Sequence, residues 1–430
     1  MKLDNAKGIL ITLVVIGHML LPIQGTTRGV TNFFYMIYAF HMPAFVFISG
    51  LLAQRIYTRV PKPAHAPAEN CAQRHPHHAA NVSAGRQMAT VGHFNGHRWC
   101  STLWLYLLFQ FILFFSEIPA YGRTTRFPDF LHTSGAPWYI LALLLWYLMI
   151  PLFVGCRGKV LPLRPVCSNR RLQLSESRAQ RGLSCSLIAW ILLTSLSLAG
   201  GYLASVALAG IGDFLALDRV IAFAPFFFAG YFIGPERLME FLGGQQESVA
   251  APKRATSRRR SPEGTSKRAD RGIVLLLTAL GLLCFVLIGT QTFDRLLPYR
   301  NVVYGAWYYR FHPEQNPAAF PGALATQLWL IRLAWFLVSG LMSFTLLALM
   351  PNRQIPLITT TGQRTLQIYI LHRPIRDLLL ASGFITAAGP DDITHVLLLI
   401  ALSLLMTLVL SAGILQRLFD AIQKLPERLF

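Results

Sequence analysis

The sequence predicts an all-α, polytopic membrane protein with about ten transmembrane helices and both termini in the cytosol. Three observations predict it. Hydrophobic residues make up 53% of the 430-residue chain, charged residues only 13%, and mean hydropathy is +0.46. A soluble chain of this length needs far more charge. Apolar runs of roughly 18 to 25 residues recur along the chain, the length that crosses a bilayer. Basic residues also concentrate in alternate loops, as the positive-inside rule requires.

The expected helical cores fall near 6–23, 33–54, 99–118, 137–155, 183–199, 219–234, 273–290, 324–350, 365–384 and 394–415. The first lacks a small-residue cleavage site and reads as a retained span rather than a signal peptide. With the N-terminus in the cytosol, three basic stretches near 60–98, 155–182 and 243–271 all fall inside, together with Arg353, Arg364, Arg417 and Lys424. These stretches read as disordered cytosolic insertions in one membrane domain spanning 1–430, because they hold too little apolar surface to offset the entropy of ordering. The net charge of +20 therefore marks orientation rather than nucleic-acid binding. Six cysteines without a CxxC spacing read as reduced and structural, not as a zinc site. The histidines of the first insertion (His65, His75, His77, His78, His93, His97) have no fold to fix a metal geometry, and no metal is expected. The run Arg258 to Arg260 reads as a solvated loop or a contact to anionic lipid headgroups.

The first span, DNAKGILITLVVIGH, breaks the apolar rule. At 100° per residue, Lys7 and His18 lie within about 20° of one line, with Asp4 about 40° from it. One helix face thus carries a charged pair at its mouth and an imidazole roughly 16 Å deeper. Two more histidines lie within spans: His41 in FHMPAFVFISG, and His372 in IYILHRPIRD, which Arg373 and Arg376 follow. Ionisable groups inside a membrane are costly and usually face a polar cavity or one another. Imidazole is suited to act as base for a hydroxyl, and lysine is a point charge for phosphate. A donor with a phosphate-bearing head and a long thin arm, such as coenzyme A, fits that layout. A proton-coupled transporter of a glycan, an acylated sugar or a lipid-linked sugar also uses such residues, although no inverted repeat is evident.

These residues resemble the acyltransferase 3 family of integral membrane O-acyltransferases. The resemblance rests on Lys7, ten residues, then His18; on a phenylalanine-rich second span ending at Ser49 and Gly50, with Arg55 beyond; and on PWYILALLLW, RVIAFAPFFFAGYFIG and IYILHRP in order. DNAKG and the sixth span look most like the fucose 4-O-acetylase-like branch. The resemblance implies transfer of acetyl from cytosolic acetyl-CoA to a hydroxyl of a sugar or glycan. It implies His18 as the catalytic residue, acting as base or acyl carrier. Lys7 and Arg55 would hold the CoA, and His41, Ser49 and His372 would line the pocket. Arg219, Trp138 and Tyr139 are candidates for the acceptor side, or else for anchoring at the headgroups. The expected setting is a bacterial inner membrane or a eukaryotic endomembrane. Some relatives add a soluble esterase-like domain; none is expected here.

Overall fold

The computed structural model describes residues 1–57, 96–122, 127–133, 135–156, 160–162, 182–207, 214–243, 263–296, 328–387 and 392–425. The three basic insertions fall largely outside these residues, as do the histidines at 65–78 and 93 and the run 258–260. Thirteen α-helices are described: α1 (Lys2–Leu20), α2 (Arg28–Tyr57), α3 (Gly96–Tyr121), α4 (Trp138–Phe153), α5 (Cys185–Ala207), α6 (Leu217–Ile233), α7 (Pro235–Phe241), α8 (Glu263–Gln291), α9 (Leu328–Leu349), α10 (Ile358–Gln363), α11 (Thr365–Ala381), α12 (Ile393–Leu410) and α13 (Gly413–Gln423). A three-residue antiparallel pair, Val160–Pro162 with Gly182–Ser184, is the only β ladder among the described residues.

Each expected core coincides with helix among the described residues. Among the described residues seven segments are long and apolar enough to cross a membrane, and α6 with α7 makes an eighth if the pair, bent by 82°, is one span. Two expected spans fall short of that test for physical reasons. In α5 the apolar stretch Cys185–Ala199 is brief, and α11 carries Arg373, Arg376 and Asp377. The tenth expected span stops at Leu410, and a separate helix follows.

The helix α1 sits at the centre, packed on α2, α10, α11 and α12, while α2 packs on α6, α8 and α9. By contrast α8 turns most of its apolar surface outward, with Leu275, Leu276 and Val286 exposed. That pattern suits a lipid-facing helix, since a span that packs on few neighbours meets hydrocarbon elsewhere.

Two devices hold α1 and α2 in place. Prolines inside helices leave the carbonyl four residues earlier without its donor. Pro43 in α2 frees Ala39, whose oxygen accepts from Ser339 Oγ at 2.6 Å. Pro225 in α6 frees Ile221, which accepts from Ser197 Oγ at 2.7 Å. Neighbouring helices thus satisfy groups that lipid cannot. Glycines let backbones meet. A Cβ on Gly8 would stand 2.1 Å from the Ile358 carbonyl oxygen, and one on Gly362 1.7 Å from that of Asp4. Asn5 adds bonds from Nδ2 to the Pro351 and Arg353 carbonyls and accepts from Thr359 Oγ1. The DNAKG stretch is therefore clamped by α10, which fixes where Lys7 stands.

Candidate active site

A cleft of about 620 Å³ opens beside the first turns of α1. From α1 it is lined by Lys7, Ile11 and Val14, residues that recur at helical spacing on one face. His18 is the next residue of that stripe, one turn beyond Val14. Ser49, Tyr139 and Tyr369 line the same cleft, and Asp420, Gln423 and Lys424 at the end of the chain bound it. Lys7 Nζ stands 2.9 Å from Asp4 Oδ1. Ser49 Oγ and the Tyr139 hydroxyl are 2.6 Å apart, and the Tyr139 and Tyr369 rings meet edge to face.

At the far end of the stripe, His18 faces His372. Their ring centroids are 5.1 Å apart at 40°. His372 is fully buried, and its Nδ1 donates to the Ile368 carbonyl at 2.9 Å. His18 is partly exposed. The Tyr369 ring centroid lies 6.0 Å from that of His372, which links the cleft wall to the histidine pair. His41 is buried in α2 with Nδ1 donating to the Ile37 carbonyl at 2.8 Å. It meets Tyr38 edge to face, and Tyr38 packs against Gly17, whose added Cβ would lie 2.9 Å from Tyr38 Cε2.

Behind the pair lies a buried charge cluster. Arg376 Nε donates to the His18 carbonyl at 3.2 Å, and its guanidinium also reaches Asp377 Oδ1 at 2.7 Å and the Tyr121 hydroxyl. Arg373 lies 3.7 Å from Glu117 Oε1 and 3.8 Å from Asp377 Oδ1. Ser116 Oγ donates to Asp377 at 3.2 Å. Two guanidiniums thus balance two carboxylates, the condition under which buried ions are tolerated. The cluster ties α11 to α1 and α3.

A second cleft of about 240 Å³ lies at the C-terminal end of α3, under the segment before α4. It is lined by polar groups from Gln110, Glu117, Asp129, His132 and Thr133. Gln110 Nε2 donates to the Tyr106 hydroxyl and to Thr133 Oγ1. The backbone N–H of His132, with that of Leu131, holds the exposed Asp129 carboxyl below the usual carboxylate range. Glu117 joins this cleft to Arg373, the neighbour of His372.

Of the residues singled out in the sequence, Lys7, Ser49 and Tyr139 share the large cleft, and His18 and His372 meet at the end of its stripe. His41 lies one ring behind, through Tyr38. Tyr139 thus lines the same cleft as Lys7. Trp138 stacks on Phe223 at 5.2 Å, and the Arg219 guanidinium lies over its indole at 5.6 Å, so the two meet each other where α4 packs on α6. The Arg55 side chain lies outside the described residues. Sequence reasoning passed over Glu117 and Asp377, and read Lys424 only as a charge that marks orientation. The signals were lone acids inside apolar runs, SEIPAY and RPIRDLLL, and the amphipathic stretch 413–423. Among the described residues no three His, Cys, Asp or Glu gather as a metal site.

Fold and site together define a multi-pass membrane protein in which a cleft runs along the first helix toward a pair of facing histidines. The chain belongs to the acyltransferase 3 family: the model of its acyltransferase domain matches residues 2–415. Its apolar helices make it an integral membrane protein of that family. Over 56 residues it is 54% identical to the nodulation protein NolL of Mesorhizobium japonicum, a match covering 12% of this chain and 15% of that protein. No solved structure matches.

Proposed function

We propose that this enzyme moves an acetyl group from acetyl-CoA to a hydroxyl of a sugar or glycan. One observation carries the reading. The cleft follows the Lys7, Ile11, Val14 stripe of α1, and the next residue on that stripe is His18. A donor laid along it keeps its phosphates near Lys7 and points its thioester at the imidazole. The volume falls within the range of ligand sites, roughly 300–1,000 Å³.

In the proposed step His18 takes the proton of the acceptor hydroxyl. The hydroxyl oxygen bonds to the thioester carbonyl carbon, the carbon–sulfur bond breaks, and the CoA thiolate leaves and recovers the proton. The acceptor enters by the smaller cleft at Glu117, whose amide, hydroxyl and carboxylate groups suit a polyhydroxylated ring. With α1 read as entering the membrane from the cytosol, the donor cleft is cytosolic and the acceptor cleft opens on the opposite face. Family membership favours transfer over transport of the glycan.

Acetyl-CoA dependence is tested by steady-state kinetics on Lys7→Ala. The expected result is a raised KM for acetyl-CoA with kcat preserved. An unchanged KM with lowered kcat contradicts the donor role of Lys7.

A further inference from the structure

We infer that His372 is a positioning residue that holds His18 as its Nδ1–H tautomer and so aims the Nε2 lone pair of His18 at the reacting groups. The inference rests on His18 being the acyl-transfer residue and goes beyond it by giving the second histidine a task.

The argument is one of donors and acceptors. A backbone carbonyl can only accept, so the 2.9 Å contact of His372 Nδ1 with the Ile368 oxygen fixes the proton on Nδ1. Neutral His372 then carries a lone pair on Nε2. That nitrogen is buried and has no hydrogen-bond partner. On His18 the buried atom without a partner is Nδ1. Buried polar atoms are nearly always paired, and these two belong to rings with centroids 5.1 Å apart. A small rotation of either ring, or one bridging water, joins them. The only pairing that matches the His372 tautomer is donation from His18 Nδ1–H to His372 Nε2. A doubly protonated His372 would instead set a third cation beside Arg373 and Arg376, whose charges Glu117 and Asp377 already balance.

The remaining contacts hold this arrangement still. Arg376 grips the His18 carbonyl from α11, the helix that carries His372. Separating the two backbone segments that carry the rings therefore requires breaking that contact. The catalytic tautomer is set by the partner on the other ring nitrogen, here an imidazole in place of a carboxylate. An uncharged partner fixes the tautomer without adding a negative charge to a site that receives a CoA thiolate.

The test uses full-length protein in nanodiscs, labelled with ¹⁵N-histidine, as wild type, His372→Gln and His372→Leu, with His18→Ala to assign the resonances. The glutamine amide oxygen can accept from His18 Nδ1–H; leucine cannot. In wild type and His372→Gln, the His18 resonances should show a protonated Nδ1 and an unprotonated Nε2. In His372→Leu they should show mixed or reversed tautomers. Transfer from labelled acetyl-CoA to a membrane glycan extract should lose kcat in the leucine variant by about 10–100-fold, as when partners that orient a histidine are removed. KM for acetyl-CoA should stay unchanged, and His372→Gln should regain most of the rate. An Nε2–H tautomer in the wild type overturns the inference. So does a leucine variant with an unchanged tautomer. Full activity in His18→Ala would instead overturn the catalytic reading of His18, and the tautomer measurement does not depend on it.

Discussion

At the scale of single residues, position on α1 decides the chemistry. Lys7 lines the proposed donor cleft while paired to Asp4, so its charge is held at the mouth. Hydrogen bonds to charged groups contribute about 1.5–3 kcal/mol. Lys7→Ala should therefore raise the acetyl-CoA KM roughly 10- to 100-fold, measured at saturating acceptor. The stripe from Lys7 to His18 was legible in the sequence, because helical spacing alone puts them on one face. The meeting of His18 with His372 was legible only as similar depth in two spans, since periodicity says nothing of which helices touch. Glu117 and Asp377 escaped notice because each looks like an isolated acid until α3 and α11 are packed together.

At the scale of elements, magnitudes separate the supports that matter most. Interhelical hydrogen bonds in membranes average about 0.6 kcal/mol and reach about 1.7. Ser339→Ala, which strips the donor from the Ala39 carbonyl that Pro43 frees, should lower thermal stability only slightly. Asp377→Asn removes a charge from the buried Arg373 and Arg376 cluster, where breaking a pair costs about 3–5 kcal/mol. It should sharply lower the midpoint of unfolding in detergent, by much more than Ser339→Ala does. Equal effects of the two would contradict the charge-balance account. Gly362→Ala should force α10 away from Asp4, at about 1–3 kcal/mol for overpacking. It should also raise the acetyl-CoA KM, because α10 seats the Lys7 turn. The proline positions were plain in the sequence, but their serine partners lie on other helices. Only the first residues of α13, 413–415, were taken into the last expected span, since its apolar residues continue the hydrophobic run while its spacing is that of an amphipathic helix. The break at Ser411 and Ala412 is what separates the two.

At the scale of the whole molecule, the helical segments followed from hydropathy, and the family followed from motifs in order. The number that cross the membrane did not, because α11 is too charged and α5 too short to be counted by composition. The site accounts for α11: it carries the charged cluster, and its polarity is hidden among neighbours rather than facing lipid. Lys7 and Lys424, near the two chain ends, line one cleft, so the N-terminal turn and the end of α13 share one end of the bundle. A course with both termini in the cytosol requires that. A single cysteine at Ser257, in the third basic stretch, should react with an impermeant maleimide only from the cytosolic side. One at Asp129 should react only from the other, in a background with the native cysteines replaced. Labelling of both from the same side would contradict the proposed course of donor and acceptor.

The most direct test of His18 as the centre of acyl transfer uses membranes containing the wild type or His18→Ala at matched insertion. Radiolabelled acetyl-CoA and a mixed glycan extract are added, and label is followed into base-labile O-esters. The account predicts label with the wild type and none above background with His18→Ala. Equal label with both proteins would contradict it.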